Sequence, residues 1–352
     1  MIDTIDIAIH KTSKSRIQEL DVNNIQFGKL YSDHMFVAEY EGGEWKDLRI
    51  EPFQDLSISP ANATLHYGQS VFEGLKAYKS KNGDIQIFRP EDNARRMNIS
   101  SERMCMPLIP EEMFMTALTE LLKLDAAWVP DKEGTSLYIR PVSFANDPYV
   151  GIKPSDTFKF LIFTSPVGAY YAEPVNVKIE TKYTRAVAGG VGYAKTAGNY
   201  AASLYPALLA QKEGYHQLIW TDGQEHQYIE EAGTMNLMFL IGDTLVTAPT
   251  GDSILNGITR DSVLSLARDW GMNVEVRKIS VTELIQALES GTLKEAFGAG
   301  TAATIAKIQK IGYKDQDYDL PKETPLADKL FRTLDEIKTG QVDDKFGWIF
   351  KV

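Results

Sequence analysis

Lys195 lies in the run Gly189-Gly190-Val191-Gly192-Tyr193-Ala194-Lys195-Thr196-Ala197-Gly198-Asn199-Tyr200, where small residues surround a single amine. Glycine lets a backbone and a ligand approach closely. An amine with little bulk or opposite charge nearby sheds water readily, which favours its neutral form and makes it a nucleophile towards carbonyls. That is the setting a Schiff-base lysine needs. For a lone glycine-rich loop, a solvated surface lysine is the commoner outcome, so the weight rests on the remainder of the chain.

Four other segments offer partners for such an amine. In Phe88-Arg89-Pro90-Glu91-Asp92-Asn93-Ala94-Arg95-Arg96-Met97 an arginine early in a helix can hold an anion, or simply belong to a charged helix face. Gly257-Ile258-Thr259-Arg260 opens a helix, and its N–H groups and dipole make a ready phosphate site; a plain helix start gives the same letters. Gly298-Ala299-Gly300-Thr301-Ala302-Ala303 can turn backbone amides and a hydroxyl towards a ligand, or be a tight turn between strands. Glu231 stands before Ala232-Gly233-Thr234-Met235-Asn236, where a carboxylate is either solvated or paired with a cationic ring.

A rival chemistry has to be weighed. Gly189 to Thr196 comes within one residue of the phosphate-binding pattern G-x-x-x-x-G-K-[ST], Ala194 replacing the second glycine. Leu218-Ile219-Trp220-Thr221-Asp222 resembles the acidic strand of such nucleotide enzymes. Against it, residues 181–185 are too polar for the strand that must lead into the glycines, and Asn199 reads as a helix start several residues too late.

The elements that would position these groups follow from periodicity and end signals. Residues 33–41, 47–52, 85–88, 136–142 and 158–164 read as strands, and 90–104 and 111–124 as helices opened by Pro90 and Pro110. Residues 165–169 break the pattern, which predicts a small domain over 1–167, a connection at 168–173 and a large domain over 174–352. Beyond it, Asn199 is expected to cap a helix ending at Gly214. Strands are expected at 217–220 and 273–278, a hairpin at 235–240 and 244–248, and helices at 258–270, 281–288 and 325–338, with Ser280 and Glu283 forming a capping box. Both halves mix strands and helices, an α/β (α+β) pattern.

Composition narrows the partners. With 352 residues, two domains are the default. A net charge of -11 argues against nucleic acid. One cysteine, Cys105, permits no internal disulfide, and Met1-Ile2-Asp3-Thr4-Ile5-Asp6 does not read as a signal peptide, so a cytoplasmic protein is expected. No apolar run is long enough to span a membrane. The five histidines lack metal-ligand spacing, so no metal is expected.

Taken together, the motifs resemble the branched-chain amino-acid aminotransferases of class IV, fold type IV pyridoxal phosphate enzymes. The resemblance runs from Phe27-Gly28-Lys29 to Gly300-Thr301-Ala302. It is most specific at His66-Tyr67-Gly68-Gln69-Ser70-Val71-Phe72-Glu73-Gly74-Leu75-Lys76-Ala77-Tyr78, Leu137-Tyr138-Ile139-Arg140-Pro141, 195–200 and 231–236. It implies a smaller N-terminal α/β domain and a larger, β-rich C-terminal domain with the cofactor between them, and a homodimer with a shared pocket. The implied reaction moves the amino group of leucine, isoleucine or valine to 2-oxoglutarate, giving glutamate. By position, Lys195 resembles the lysine that forms the aldimine with pyridoxal 5'-phosphate and shuttles the proton. Glu231 resembles the partner of the ring nitrogen, Tyr200 that of the phenolic oxygen, and Arg96, Ile258, Thr259 and Thr301 the phosphate ligands, with Thr234 beside the cofactor. Thr301 and Ala302 resemble amide donors to the substrate carboxylate. Tyr31, Tyr67, Phe72, Tyr138 and Tyr170 resemble walls of the side-chain pocket, though each could equally be ordinary core. Arg140 resembles a substrate-side arginine for the second carboxylate of glutamate, which Tyr67 could orient; a structural arginine is the alternative.

Two details depart from the family pattern. Some members carry C-x-x-C after the Gly-Thr-Ala turn, where Ala303 and Ala306 stand here, so no thiol switch is expected. The acidic pair Glu230-Glu231 leaves two candidates for the ring nitrogen, and the spacing to Gly233-Thr234 favours Glu231. The nearest alternatives in the same class, a D-amino-acid aminotransferase and an aminodeoxychorismate lyase, tend to lack the 66–78 block.

Overall fold

Apolar strands from the two halves of the chain build two separate sheets in the computed structural model, which describes residues 5–168 and 173–352. The chain divides into two compact units. The first comprises Met1–Tyr170, Ala194–Ala197 and Glu336–Val352; the second comprises Tyr171–Tyr193 and Gly198–Asp335.

The first unit is built on a mostly antiparallel sheet. Its order is Ala8–Ile9, Glu44–Pro52, His34–Glu41, Phe158–Val167, Ser136–Ala145, Leu75–Lys79, Ile85–Phe88 and Ile349–Lys351, with Ser70–Phe72 also paired to Ser136–Ala145. The helix Glu111–Leu124 turns Phe114, Leu118, Leu121 and Leu122, spaced for one face, into a core that includes Phe36, Ile87 and Phe160. Each such side chain contributes about 1.5–3 kcal/mol on burial. The neighbouring helix, Pro90–Arg103, has proline in its first turn, Glu91 and Asp92 at its positive end and Arg103 at its negative end.

The second unit closes on itself. Ile229–Ala232, Gln217–Thr221, Val175–Ile179, Thr304–Tyr313, Leu293–Gly300 and Asn236–Ile241 pair in that order, and Ile229–Ala232 pairs again with Asn236–Ile241. The closing contact sets Glu231 opposite Asn236. Thr244–Thr247 and Asn273–Val276 extend the sheet beyond this ring. Helices Ala197–Lys212, Ile258–Asp269, Val281–Glu289 and Pro325–Lys338 accompany it, and Ser280 caps the third of these by accepting from the Glu283 N–H.

Three expectations need correction. The domain cut at 167–174 does not carry the whole remainder into the second unit, because Ala194–Ala197 and Glu336–Val352 belong to the first. Ile349–Lys351 pairs with Ile85–Phe88, Trp348 packs on Phe88 at 5.6 Å, and Gln86 donates to the Lys338 carbonyl at 3.2 Å. Asn199 is not a cap: the helix starts at Ala197, and the Asn199 side chain turns inward to donate to the Val191 carbonyl at 2.9 Å. Glu283 caps nothing with its carboxylate, which binds Arg277 instead.

Candidate active site

In the first unit, Lys195 is fixed through its main chain. Its N–H donates to Ser100 Oγ at 2.9 Å, and its carbonyl accepts from the Phe72 N–H at 3.0 Å. Thr196, fully buried, donates its hydroxyl to the Ser70 carbonyl at 2.8 Å. The half-buried side chain of Lys195 runs over the Phe72 ring, Nζ lying 4.9 Å from the ring centre. Ser100 in turn donates to the Arg96 carbonyl at 3.1 Å, so the helix that carries Arg96 and the strand that carries Phe72 both hold the lysine.

Arg96 is buried and side-on to Glu73, which has no exposed surface. Its Nε and Nη2 donate to the two carboxylate oxygens at 2.7 and 2.8 Å. Asn93, one turn earlier, donates to Glu73 at 2.8 Å. Burial alone would push the Glu73 carboxyl up, but the Arg96 charge and hydrogen bonds, with Lys195 adding, hold it below the usual carboxylate range. Neither Glu73 nor Ser100 was singled out from the sequence. Glu73 lies inside the Phe72-Glu73-Gly74 motif, but its partner is 23 residues away.

Arg140 of the same unit donates through Nη2 to the Tyr138 hydroxyl at 2.8 Å and lies over the Phe72 ring at 4.5 Å. Its Nε is buried without a hydrogen-bond partner. The tyrosine that meets it is Tyr138 rather than Tyr67, which is 41% exposed with its ring beside His66. Tyr31 stacks on Phe53 at 4.7 Å and donates to the Gly28 carbonyl at 3.1 Å. Tyr170 lies outside the described residues.

In the second unit, Glu231 is 5% exposed and held from three directions. Arg185 Nη2 reaches it at 2.8 Å, Asn236 Nδ2 at 2.8 Å and the Leu255 N–H at 3.3 Å. Asn236 also donates to the Leu255 carbonyl at 2.9 Å and packs so closely on Gly257 that a Cβ there would collide with its Oδ1. Glu231 is thereby brought to the start of the helix Ile258–Asp269, where Ile258 and Thr259 are buried in the first turn. Arg260 follows, its Nε buried without a hydrogen-bond partner; burial lowers its guanidinium from the ordinary range.

Glu230 differs from its neighbour. Ser253 donates to one oxygen, the other is buried without a partner, and burial pushes the carboxyl up. Thr234 is exposed in the turn between Ile229–Ala232 and Asn236–Ile241, and Thr301 and Ala302 are half-buried in the turn after Leu293–Gly300. Gly298 and Gly300 let these turns touch: a Cβ at either would collide with Met235 or the Thr234 carbonyl. Tyr200 lies half-buried in the first turn of Ala197–Lys212.

The geometry weakens the nucleotide-loop alternative. The strand Val175–Ile179 ends well before the glycines, and the intervening residues 180–188 hold neither strand nor helix. The loop is instead organised by Asp252, whose side chain accepts from the Gly189 N–H at 2.8 Å and whose carbonyl accepts from the Tyr193 N–H at 3.0 Å. Among the described residues, no cluster of metal-ligating side chains is present and no helix is long and apolar enough to cross a membrane.

Comparisons with known proteins agree on one family. Residues 70–311 match the amino-transferase class IV family. The chain is 46% identical to branched-chain-amino-acid aminotransferase 2 of Bacillus subtilis (strain 168), over 99% of this chain and 97% of that protein. Among solved structures, it is similar to the branched-chain aminotransferase of the thermophilic archaeon Thermoproteus uzoniensis, solved with norvaline (TM-score 0.76, 26% identity, 90% of this chain and 99% of that one). It is also similar to the T.th. branched-chain amino acid aminotransferase complexed with N-(5'-phosphopyridoxyl)-L-glutamate (TM-score 0.72, 25% identity, 89% and 97%). With the family match covering more than half of its length, the chain belongs to the class IV aminotransferases.

Proposed function

We infer that the protein is a pyridoxal phosphate-dependent branched-chain amino-acid aminotransferase, moving the amino group of leucine, isoleucine or valine to 2-oxoglutarate. The observation that carries this reading is 46% identity to a branched-chain enzyme over 99% of the chain, joined to an amine whose backbone is anchored on both sides at Lys195. Each unit supplies donors that suit the cofactor: in the first, the Lys195 amine for its aldehyde and Arg96 for its phosphate; in the second, the Glu231 carboxylate for its ring nitrogen and a helix start for its phosphate. Pyridoxal phosphate supplies an aldehyde for the amino group and a ring that stabilises negative charge at Cα.

The residues then divide the work. Lys195 Nζ would hold the cofactor and move the proton at the substrate Cα, a base whose backbone is anchored by Ser100 and Phe72. Glu231 would pair with the ring nitrogen, where its charge would favour the protonated ring. Arg96, Ile258, Thr259 and Thr301 bind the phosphate, Tyr200 donates to the phenolic oxygen, and Thr234 lies beside the cofactor. Thr301 and Ala302 receive the substrate carboxylate. Phe72, Tyr138, Tyr31, Tyr67 and Tyr170 surround the side chain, and Arg140 takes the second carboxylate of glutamate. The buried, unpartnered Nε of Arg140 supports that last role, because a burial site that leaves a donor unmet suits an incoming acceptor.

The enzyme works in the cytoplasm as a homodimer. Leu204 and Tyr205, 69% and 60% exposed on the helix Ala197–Lys212, support an apolar contact with a second copy. The single, exposed Cys105 fits a reducing compartment. The reaction is tested by incubating holoenzyme with 2-oxoglutarate and each of L-leucine, L-isoleucine, L-valine and D-alanine, and measuring glutamate formed. Glutamate from the three branched L-amino acids is expected; turnover of D-alanine alone would overturn the assignment.

A further inference from the structure

A carboxylate with no exposed surface is costly unless its charge is met, and Glu73 is met lavishly. Arg96 Nε and Nη2, Asn93 Nδ2 and the Gly74 N–H all donate to it, the last at 3.2 Å. The pairing is side-on, which removes the rotational freedom of a long arginine. Its place in the chain matters as much as its bonds. Glu73 directly follows Ser70-Val71-Phe72, and that segment is bonded to the lysine loop twice, through Phe72 N–H to the Lys195 carbonyl and Thr196 Oγ1 to the Ser70 carbonyl. Its own N–H donates to the Pro141 carbonyl at 2.8 Å, so the segment cannot slide along the sheet. One run of four residues thus holds the lysine at one end and the arginine at the other. Ser100 closes the circuit, accepting from the Lys195 N–H and donating to the Arg96 carbonyl.

We propose that Glu73 is a positioning residue: by gripping Arg96 side-on from the segment bonded to the Lys195 loop, it sets the phosphate-binding guanidinium in register with the reacting amine. This rests on the assignment of Arg96 to the cofactor phosphate. Glutamine in its place has the same length but only one accepting oxygen, and its amide N–H groups face guanidinium donors. The side-on grip is therefore lost while the packing is kept. Aspartate keeps the charge but falls a methylene short.

The test measures affinity rather than turnover. Apoenzyme is titrated with pyridoxal 5'-phosphate and with pyridoxal, which lacks the phosphate, and the ratio of the two Kd values isolates the phosphate's contribution. Wild type, Glu73→Gln, Glu73→Asp, Arg96→Met and the double variant Glu73→Gln/Arg96→Met are compared, each checked for cooperative unfolding. The expected result is a ratio reduced about ten-fold or more by Glu73→Gln, reduced less by Glu73→Asp, and no lower in the double variant than in Arg96→Met, because Glu73 acts only through Arg96. Should Glu73→Gln fail to fold, Glu73→Asp carries the test by the same ratio. A wild-type ratio in the Glu73 variants, with the ratio collapsed in Arg96→Met, overturns the positioning role and leaves the phosphate assignment standing. A wild-type ratio in Arg96→Met overturns the phosphate assignment, and the role of Glu73 with it.

Discussion

Among the described residues, each unit buries an arginine–glutamate pair, and the two differ in geometry. In the first, both oxygens of Glu73 are turned on one guanidinium, with Asn93 and the Gly74 N–H adding to one of them, so the carboxylate grips the arginine side-on. In the second, Glu231 takes one bond from Arg185, another from Asn236 and a third from the Leu255 main chain, so three elements hold the carboxylate. The same ion pair can serve to aim a cation or to aim an anion, and the geometry of the donors tells which. A buried pair is weak grounds for stability in itself, since desolvation cancels much of the attraction. Both pairs are better understood as devices for placing a charge.

The comparison can be broken in order of effect. The largest loss is expected for Lys195→Ala, which removes the proposed reacting amine. Transamination should fall on the order of 10⁴-fold while cooperative unfolding is retained, as steady-state rates and thermal melts would show. Next, Glu231→Gln should lower turnover on the order of 10²-fold, because a fixed electrostatic partner is lost, whereas Glu230→Gln should stay within about three-fold. Damage from Glu230→Gln greater than from Glu231→Gln would reverse the roles of the two neighbours.

Arg140→Met probes a cation that, among the described residues, is bonded to a tyrosine hydroxyl rather than a carboxylate. Stopped-flow measurement of each half-reaction should show the glutamate half slowed about ten-fold more than the leucine half. Equal losses would make Arg140 a structural residue bound to Tyr138.

The smallest effect concerns pH. Glu73 is held below its ordinary value, so it contributes stability above the unfolded carboxyl pKa, and that contribution is lost as pH falls through the folded value. Glu230 is pushed up by burial, so its relative contribution is present in acid and is lost as pH rises through its folded value. Glu230→Gln should therefore raise Tm by about 2 °C near pH 8 and change it little near pH 5. A Tm lowered at both values would show that the Ser253 contact matters more than the buried charge.

Much of this arrangement was legible in the chain because its signals are local. The helix Pro90–Arg103 announces itself through a first-turn proline and end charges, and places Arg96 two turns in. The hairpin around Gly242-Asp243 and the Ser280 cap are likewise short-range. What stayed hidden depends on distant partners. Glu73 meets Arg96 across 23 residues and Ser100 meets Lys195 across 95, and neither spacing leaves a periodic trace. The return of Ile349–Lys351 to the first sheet rests on a strand of three residues, too short to show alternation. Asn199 misled because asparagine is a favoured cap, and here its side chain fastens the preceding loop instead. Arg185 carries no motif at all, yet it supplies one of the bonds that hold Glu231.

The central claim is that Lys195 is the amine that joins the cofactor. Holoenzyme reduced with sodium borohydride, digested and mapped by mass spectrometry tests it most directly. The account predicts a phosphopyridoxyl group on the peptide containing Lys195 and none after Lys195→Ala; the same mass on a peptide carrying another lysine, or no trapped cofactor at all, would contradict it.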